Sequence, residues 1–377
     1  MTLPRRHFLI TSGLLLAAGC STTQPEPTTT TETGDDITTT PTTPTQTTAT
    51  TTTAQPTTEA PTETPTETET PTETETPEPP AENETAREAL IRAEFHLAEA
   101  VTLYSDYGTG ASILRVTAAT DDFEWTPIGN KVRESWDRLD TADEFGTDAQ
   151  LERSAQLRDV GEFVRYAARC QDRVITTYQQ SVRATGGLYA DDSFEFTAGL
   201  NQSRDAREAA TSLLATLRDE TDAASTTATD TLTQTEYDGK VAQFEAEILV
   251  SGDLAALLRE FRAILDAFDT GVSRLFARNY DDAEEDFEAV SLDLDLLATA
   301  FTQLDRPLSF DSLLNELERV AAVLSEVAIN LRDSALAGDE RDEAARDEAL
   351  ADARERLLTN DVVSEMAISE AIFDGEF

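Results

Sequence analysis

The feature that most constrains the fold is the near absence of proline from residues 81–377, which contain only Pro127 and Pro307. Proline interrupts helices because it lacks a backbone N–H and clashes with the preceding turn. Over the same residues, apolar side chains recur every three or four positions, the spacing that places them on one face of a helix. The sequence therefore predicts an all-α fold of antiparallel helices joined by short loops, either a multi-helix bundle or a short helical array.

The apolar stripes and the turn residues between them also predict where helices begin and end. Asp148 is expected to cap a long helix that ends at the Gly186–Gly187 pair. Residues 225–235, STTATDTLTQT, form a polar linker that divides 81–224 from 236–377, either as two helical subdomains or within one continuous domain. The predicted helices run from Ala86 to near Gly108 and over about 128–145, 148–185, 197–223, 237–250, 253–268, 271–278, 280–304, 309–336 and 340–358.

The segment before this helical part has a different composition. Residues 22–80 contain 29 Thr, 11 Pro and 11 acidic residues, and no lysine, arginine or aromatic residue. Such a segment has little to bury and cannot offset the entropy lost on ordering. We expect residues 21–80 to be a disordered stalk, and threonine dense beside proline is typical of O-glycosylated stalks.

Residues 5–20 read RRHFLITSGLLLAAGC and resemble two known signals. Arg5, Arg6, Phe8 and Leu9 match the twin-arginine export motif. The ending LAAGC resembles a lipobox, although the third residue before Cys20 is alanine where leucine is usual. The apolar run is too short to span a membrane as a helix. The resemblance implies a signal over residues 1–20, a lipid attached at Cys20, and a location on the outer face of the cytoplasmic membrane.

The net charge of the chain indicates which partners it can bind and the salt concentration in which it works. The formal net charge is −45, and lysine occurs only at Lys131 and Lys240. Concentrated salt screens the repulsion that such a surface creates. An acidic, lysine-poor composition resembles that of proteins from halophilic archaea. Nucleic acid is excluded as an expected partner because no basic stripe is present to meet phosphates.

A search for catalytic and binding chemistry yields few candidates. His96 and Glu99 are three residues apart on one predicted helix face, the spacing of a carboxylate–imidazole metal pair, but no second histidine follows them, and we predict no metal and no cofactor. Cys170 is expected to pack as a small apolar residue. Asn83 and Asn201 begin N-x-S/T sequons for N-glycosylation. With no catalytic motif found, an enzyme is not expected.

Residues 271–290 resemble half of a tetratricopeptide repeat. Tyr280, Ala283 and Phe287 fall where that family has tyrosine, alanine and an aromatic residue on its second helix. The first helix of the repeat lacks the usual Leu-Gly pair, and no second copy follows. A generic helical hairpin explains the same residues.

Together these features predict a membrane-anchored lipoprotein whose helical domain binds an envelope component, a surface-layer protein or another protein partner. The first alternative is a lipoprotein that captures a small molecule, of unknown identity, for a transporter. The second is a metal-dependent enzyme, for which the residues are largely missing.

Overall fold

The structure, a computed structural model, describes residues 83–374, which lie within one compact unit. Over these residues it contains ten α-helices, two short 3-10 helices and no β-strand, which confirms the predicted all-α class. The export-signal residues (Arg5, Arg6, Phe8, Leu9), Cys20 and the predicted stalk lie outside the described residues. No helix between Asn83 and Asp374 is long and apolar enough to cross a membrane.

The helices follow one another with short connections. In chain order they are α1 (Glu84–Asp106), η1 (Ile113–Arg115), α2 (Trp125–Phe145), α3 (Asp148–Tyr189), α4 (Ser193–Glu220), η2 (Ala223–Ala228), α5 (Gln234–Phe276), α6 (Tyr280–Gln303), α7 (Asp311–Asp339), α8 (Glu343–Leu357), α9 (Asp361–Ser364) and α10 (Ala367–Asp374). Sequential helices pack into hairpins, most extensively α1 with α2, α3 with α4, and α6 with α7, and α5 also contacts α3 and α4. Short loops favour this antiparallel packing of neighbours.

The apolar faces meet in a single core cluster that includes residues of α1 to α8. Aromatic pairs join helices that are distant in sequence. Phe163 on α3 stacks on Tyr237 of α5 with ring centroids 4.3 Å apart. Farther along α5, Phe268 meets Phe287 of α6 edge to face at 5.6 Å. Such pairs add to the stabilisation that burial of the rings provides.

Two predicted boundaries of α3 are wrong. The N-cap is Thr147 rather than Asp148, and the Thr147 backbone N–H donates to Oε1 of Gln150 at 3.1 Å. At the other end, α3 continues through the glycine pair to Tyr189. Gly187 serves close packing, because a Cβ there would lie 2.5 Å from the backbone nitrogen of Phe196 on α4. A glycine pair indicates the end of a helix only where the glycines are not required for close packing against a second helix.

The sequence also predicts three helices where the structure has one. Helix α5 is continuous for 43 residues and passes through Gly252 and Gly271, which lie at or next to the predicted breaks. At Gly252 the Arg207 side chain of α4 lies over the helix, and at Gly271 a Cβ would be 3.0 Å from the ring of Phe287. Both glycines admit a neighbouring side chain, and tertiary packing outweighs their low helix propensity.

The predicted polar linker is largely ordered. Residues Ala223–Ala228 form η2, which contacts α3 and α5, and Thr226, Ala228 and Leu232 are buried. Helices on both sides of the linker therefore share contacts.

The hairpin that resembles a tetratricopeptide repeat is formed by the end of α5 and the start of α6. Ala283 and Phe287 are buried in it and Tyr280 is half-buried. Helix α5 alone has 43 residues, whereas a whole tetratricopeptide repeat has about 34.

Candidate functional site

Four side chains from α1 and α2 close a ring at the surface. His96 and Glu99 lie one turn apart on α1, and Lys131 and Glu134 lie one turn apart on α2. The Oε2 atom of Glu99 is 3.1 Å from Nδ1 of His96 and 3.2 Å from Nζ of Lys131. The Oε2 atom of Glu134 is 3.3 Å from the same Nδ1 and 2.9 Å from the same Nζ. We call these four residues the surface ring.

The charges of the surface ring support one another. Hydrogen bonds from His96 and Lys131 lower the pKa of Glu99. Hydrogen bonds to Glu134 and Glu99 raise the pKa of Lys131. With His96 neutral, two carboxylates and one ammonium leave the ring with one net negative charge. The side chains of the ring are only partly shielded from solvent.

The predicted pair His96 and Glu99 is thus brought together, and the fold adds Glu134 as a third donor. One ligand atom from each of these three residues lies within 4.8 Å of the other two. Glu134 and Lys131 were not predicted from the sequence because they are on the next helix. Only the pairing of α1 with α2 places them opposite the first pair.

A second polar group lies in the core, centred on α5. Lys240 is fully buried, and its Nζ donates to the backbone carbonyl oxygens of Ile113 at 3.1 Å and Val116 at 2.5 Å. A third hydrogen bond runs to Oε1 of Gln243 at 3.2 Å. The ammonium also lies 4.8 Å from the ring centroid of Phe244, within the range of a cation–π contact.

Glu247 completes this group one turn beyond Gln243 on α5. Its Oε1 accepts from the backbone N–H of Ala118 at 3.0 Å, from Nε2 of Gln243 at 3.3 Å and from the hydroxyl of Ser309 at 2.7 Å. Its other oxygen, Oε2, has no hydrogen-bond partner among the described residues. We call Lys240, Gln243 and Glu247 the buried cluster.

The buried cluster holds the connection between α1 and α2 against α5 through hydrogen bonds. Residues 107–124 of that connection include η1, and the backbone groups of its buried residues Ile113, Val116 and Ala118 require partners. Lys240 and Glu247 supply them at three positions. Burial lowers the pKa of Lys240 to about 7 and raises the pKa of Glu247. The nearby thiol of Cys170 is buried as predicted, and burial raises its pKa to about 12, so it is not a nucleophile at neutral pH.

The sequence carried a signal for the buried cluster. Tyr237, Phe244 and Leu254 form one apolar stripe on α5, and Lys240 and Glu247 occupy positions of the same stripe at steps of three and four. A charged residue in register with a core stripe is either a break in the stripe or a buried ion. Only the structure distinguishes these two cases, because the partners are backbone atoms of a distant loop.

The two sequons differ in their surroundings. Asn83 is exposed and caps α1, with its Oδ1 accepting from the backbone N–H of Ala86 at 3.2 Å. Asn201 is exposed on α4, but Ser203, the third residue of its sequon, is buried, with its hydroxyl 3.1 Å from that of Ser181.

An open groove of about 460 Å³ runs between α4 and α5. Ile248 and Leu249 form its apolar side, and the Arg207 side chain of α4 lies over Gly252 of α5. Glu208, Thr211 and Asp253 complete the lining. The side chain of Leu249 is 60% exposed. A smaller cavity of about 290 Å³ lies between the end of α3, α5 and α10, where Arg262 is paired with Asp191 and Asp266.

Comparison with known protein families, with curated proteins and with solved structures found no match to this chain.

Proposed function

We propose that this protein is a lipoprotein of a halophilic cell surface, held by Cys20 at the outer face of the cytoplasmic membrane, whose helical domain binds another protein of the envelope. The anchor rests on residues 5–20, in which the arginine pair, the short apolar run and the cysteine stand in the order that such a signal requires. A diacylglyceryl group would supply two hydrocarbon chains, and two chains anchor stably where one is marginal.

The threonine- and proline-rich segment supports display at a distance from the lipid. Its 59 residues from Thr22 to Pro80 would span roughly 40 Å as a flexible coil and up to about 180 Å when extended. In concentrated salt the screening length falls to a few ångströms, so the acidic domain would not be held off a neighbouring protein by long-range repulsion.

The observation that carries the binding function is the groove between α4 and α5. It presents Leu249 and Ile248 beside the guanidinium of Arg207, which is the combination of apolar and arginine contacts enriched at protein interfaces. The groove is open along its length rather than enclosed, and an apolar helix or loop of a partner fits such a shape.

The anchor is tested by replacing Cys20 with serine in cells that express the full chain. We expect the wild-type protein to remain with membranes after a high-salt wash and Cys20→Ser to be released. Retention of Cys20→Ser on washed membranes would contradict lipid anchoring at this residue.

The binding function is tested by crosslinking in cells kept in their native salt. We expect wild-type protein to give one dominant crosslinked partner and Leu249→Glu to lose it. Leu292→Glu is the matched control, because Leu292 is equally exposed at 59% but lies on α6, outside the groove. A partner that survives Leu249→Glu, or no partner with the wild type, would contradict the proposal.

The alternative of substrate capture has the cavity beside Arg262 as its candidate site. A thermal shift with a small molecule that is lost in Arg262→Ala, in a protein that gives no crosslinked partner, would favour capture over protein binding.

A further inference from the structure

We propose that the surface ring is a binding site for a divalent metal ion of the zinc class. His96, Glu99 and Glu134 would be its protein ligands, and Lys131 would be the counter-ion that the metal displaces. The site is independent of the groove between α4 and α5 and of the proposed lipid anchor.

The distances within the surface ring match the requirements of zinc. Zinc lies about 2.0–2.2 Å from imidazole nitrogen and carboxylate oxygen, so two donors at neighbouring corners of a tetrahedron stand roughly 3.4 Å apart. Nδ1 of His96 is 3.1 Å from Oε2 of Glu99 and 3.3 Å from Oε2 of Glu134. One ligand atom of each of the three residues lies within 4.8 Å of the other two, so rotation of the side chains can bring all three to one ion.

The donor types narrow the class of metal. One imidazole with two carboxylates suits zinc and its neighbours in the transition series better than calcium or magnesium, which prefer all-oxygen sets. Three protein ligands leave a fourth position open, as in sites where zinc keeps a bound water. In the structure Nζ of Lys131 contacts both carboxylates, 2.9 Å from Oε2 of Glu134 and 3.2 Å from Oε2 of Glu99.

Charge favours the exchange of Lys131 for a metal ion. Two carboxylates with one ammonium leave a net charge of −1 when His96 is neutral. A divalent ion in place of the ammonium brings the same group to zero. The ion would take the Nδ1 lone pair, so the proton with which Nδ1 donates to the carboxylates must leave it and the ring proton must be on Nε2.

The presence of lysine rather than arginine at position 131 supports a counter-ion that a metal can displace. Lysine occurs at only two positions in the chain, Lys131 and Lys240, while the other basic side chains are arginines. An ammonium on a flexible stem is a point charge that can leave, whereas a guanidinium forms a planar two-point contact with a carboxylate. Lys131 is partly exposed, so its side chain can extend into solvent when a metal binds.

The test uses the purified full chain in concentrated KCl, titrated with Co²⁺ alone, whose visible absorption reports four-coordinate geometry, and with Zn²⁺ alone by calorimetry. We expect one ion per chain, a tetrahedral Co²⁺ spectrum, and an increase in melting temperature because the ion links α1 to α2. His96→Ala and Glu134→Gln are expected to lower the affinity by at least about a hundredfold, the order found when a ligand or its support is lost.

Two further variants make the test decisive. Lys131→Met removes the competing ammonium and is expected to bind about tenfold more tightly than the wild type. Glu144→Gln on α2 removes one acidic charge outside the ring and is expected to bind as the wild type does. Circular dichroism establishes that each variant is folded. Equal binding by His96→Ala and the wild type, or no stoichiometric binding by either the wild type or Lys131→Met, would overturn the proposal.

Discussion

The surface ring and the buried cluster each combine a lysine with glutamate, one at the protein surface and the other in the core. Each contains one of the two lysines of the chain and at least one glutamate, and each ties a residue of α1 or its following loop to another helix. In the surface ring every charge has an oppositely charged neighbour and access to water. In the buried cluster the ammonium is held by two backbone carbonyls and an amide, and Glu247 keeps one oxygen without a partner among the described residues.

The difference teaches that burial, rather than the type of residue, decides what these charges do. An exposed ion pair is screened by water and salt and contributes little to stability, so its members can be exchanged. A buried charge is costly to leave unpaired, so each of its partners becomes necessary for the fold. We therefore expect the buried cluster to govern stability and the surface ring to govern ion binding.

The largest effect is expected from Lys240→Met, which keeps the volume and removes the charge. Ile113 and Val116 lose the Nζ donor at their carbonyls, and Glu247 loses the positive charge that Lys240 carries when protonated. Lys240 makes three hydrogen bonds in the core, and because the loss of each costs about 1–3 kcal/mol, we expect a loss of about 3 kcal/mol or more. Denaturant unfolding in concentrated KCl measures this change in the free energy of unfolding.

The double variant Lys240→Met with Glu247→Gln is the control for this prediction. Glutamine retains acceptor capacity for Ala118 and Ser309 but carries no charge, so the two substitutions together should cost less than the sum of each alone. Strict additivity would show that the two charged groups act independently and would contradict the view of a single cluster.

The next effect concerns pH. The pKa of Lys240 is about 7 in the folded protein, well below its ordinary value of 10.5, and the groups that face it are Glu247 on α5, Cys170 on α3 and the ring of Tyr104 on α1. Between these two values the unfolded chain binds more protons than the folded protein, so the stability must rise with pH. From pH 7 to pH 9 the wild type should gain about 2 kcal/mol over Lys240→Met. A difference between the two proteins that is constant with pH would show that Lys240 keeps its ordinary pKa.

A smaller effect is expected from Gly108→Ala, which acts on the loop that the buried cluster holds. A Cβ at Gly108 would lie 2.6 Å from the carbonyl carbon of Arg115 and 2.7 Å from the backbone nitrogen of Val116. The loop must then move away from Gly108, and its carbonyl at Val116 moves relative to Lys240. We expect a loss of about 2 kcal/mol, in the range for overpacking. Gly186→Ala is the matched control, since no atom lies within 4 Å of a Cβ there.

These two regions also show what the sequence can and cannot predict. Helical periodicity predicted α6 within one residue, because its apolar stripe is not interrupted. It wrongly divided α5 near Gly252 and Gly271, where the missing glycine side chain leaves room for a side chain of another helix. It found His96 and Glu99, which are neighbours on one helix, but not Lys131 and Glu134. The apolar pattern of one helix predicts which face of that helix is buried. It does not predict which residues of other helices pack against that face.

The smallest effect on stability is expected from Lys131→Met in the surface ring. Lys131 and its two partners, Glu99 and Glu134, are partly exposed, and the loss of the two ion pairs is mostly compensated by water and by dissolved cations. Thermal unfolding at low and at high KCl separates the two regions, because screening reduces the contribution of exposed pairs and leaves buried ones nearly unchanged. We expect the change in melting temperature for Lys131→Met to be smaller than that for Gly108→Ala and to shrink as KCl increases. The change for Lys240→Met should persist at all salt concentrations.

If Lys131→Met destabilises the protein as much as Lys240→Met and does so equally in high salt, then the surface ring is a structural element like the buried cluster. In that case Lys131 would not be free to yield its place to a metal ion.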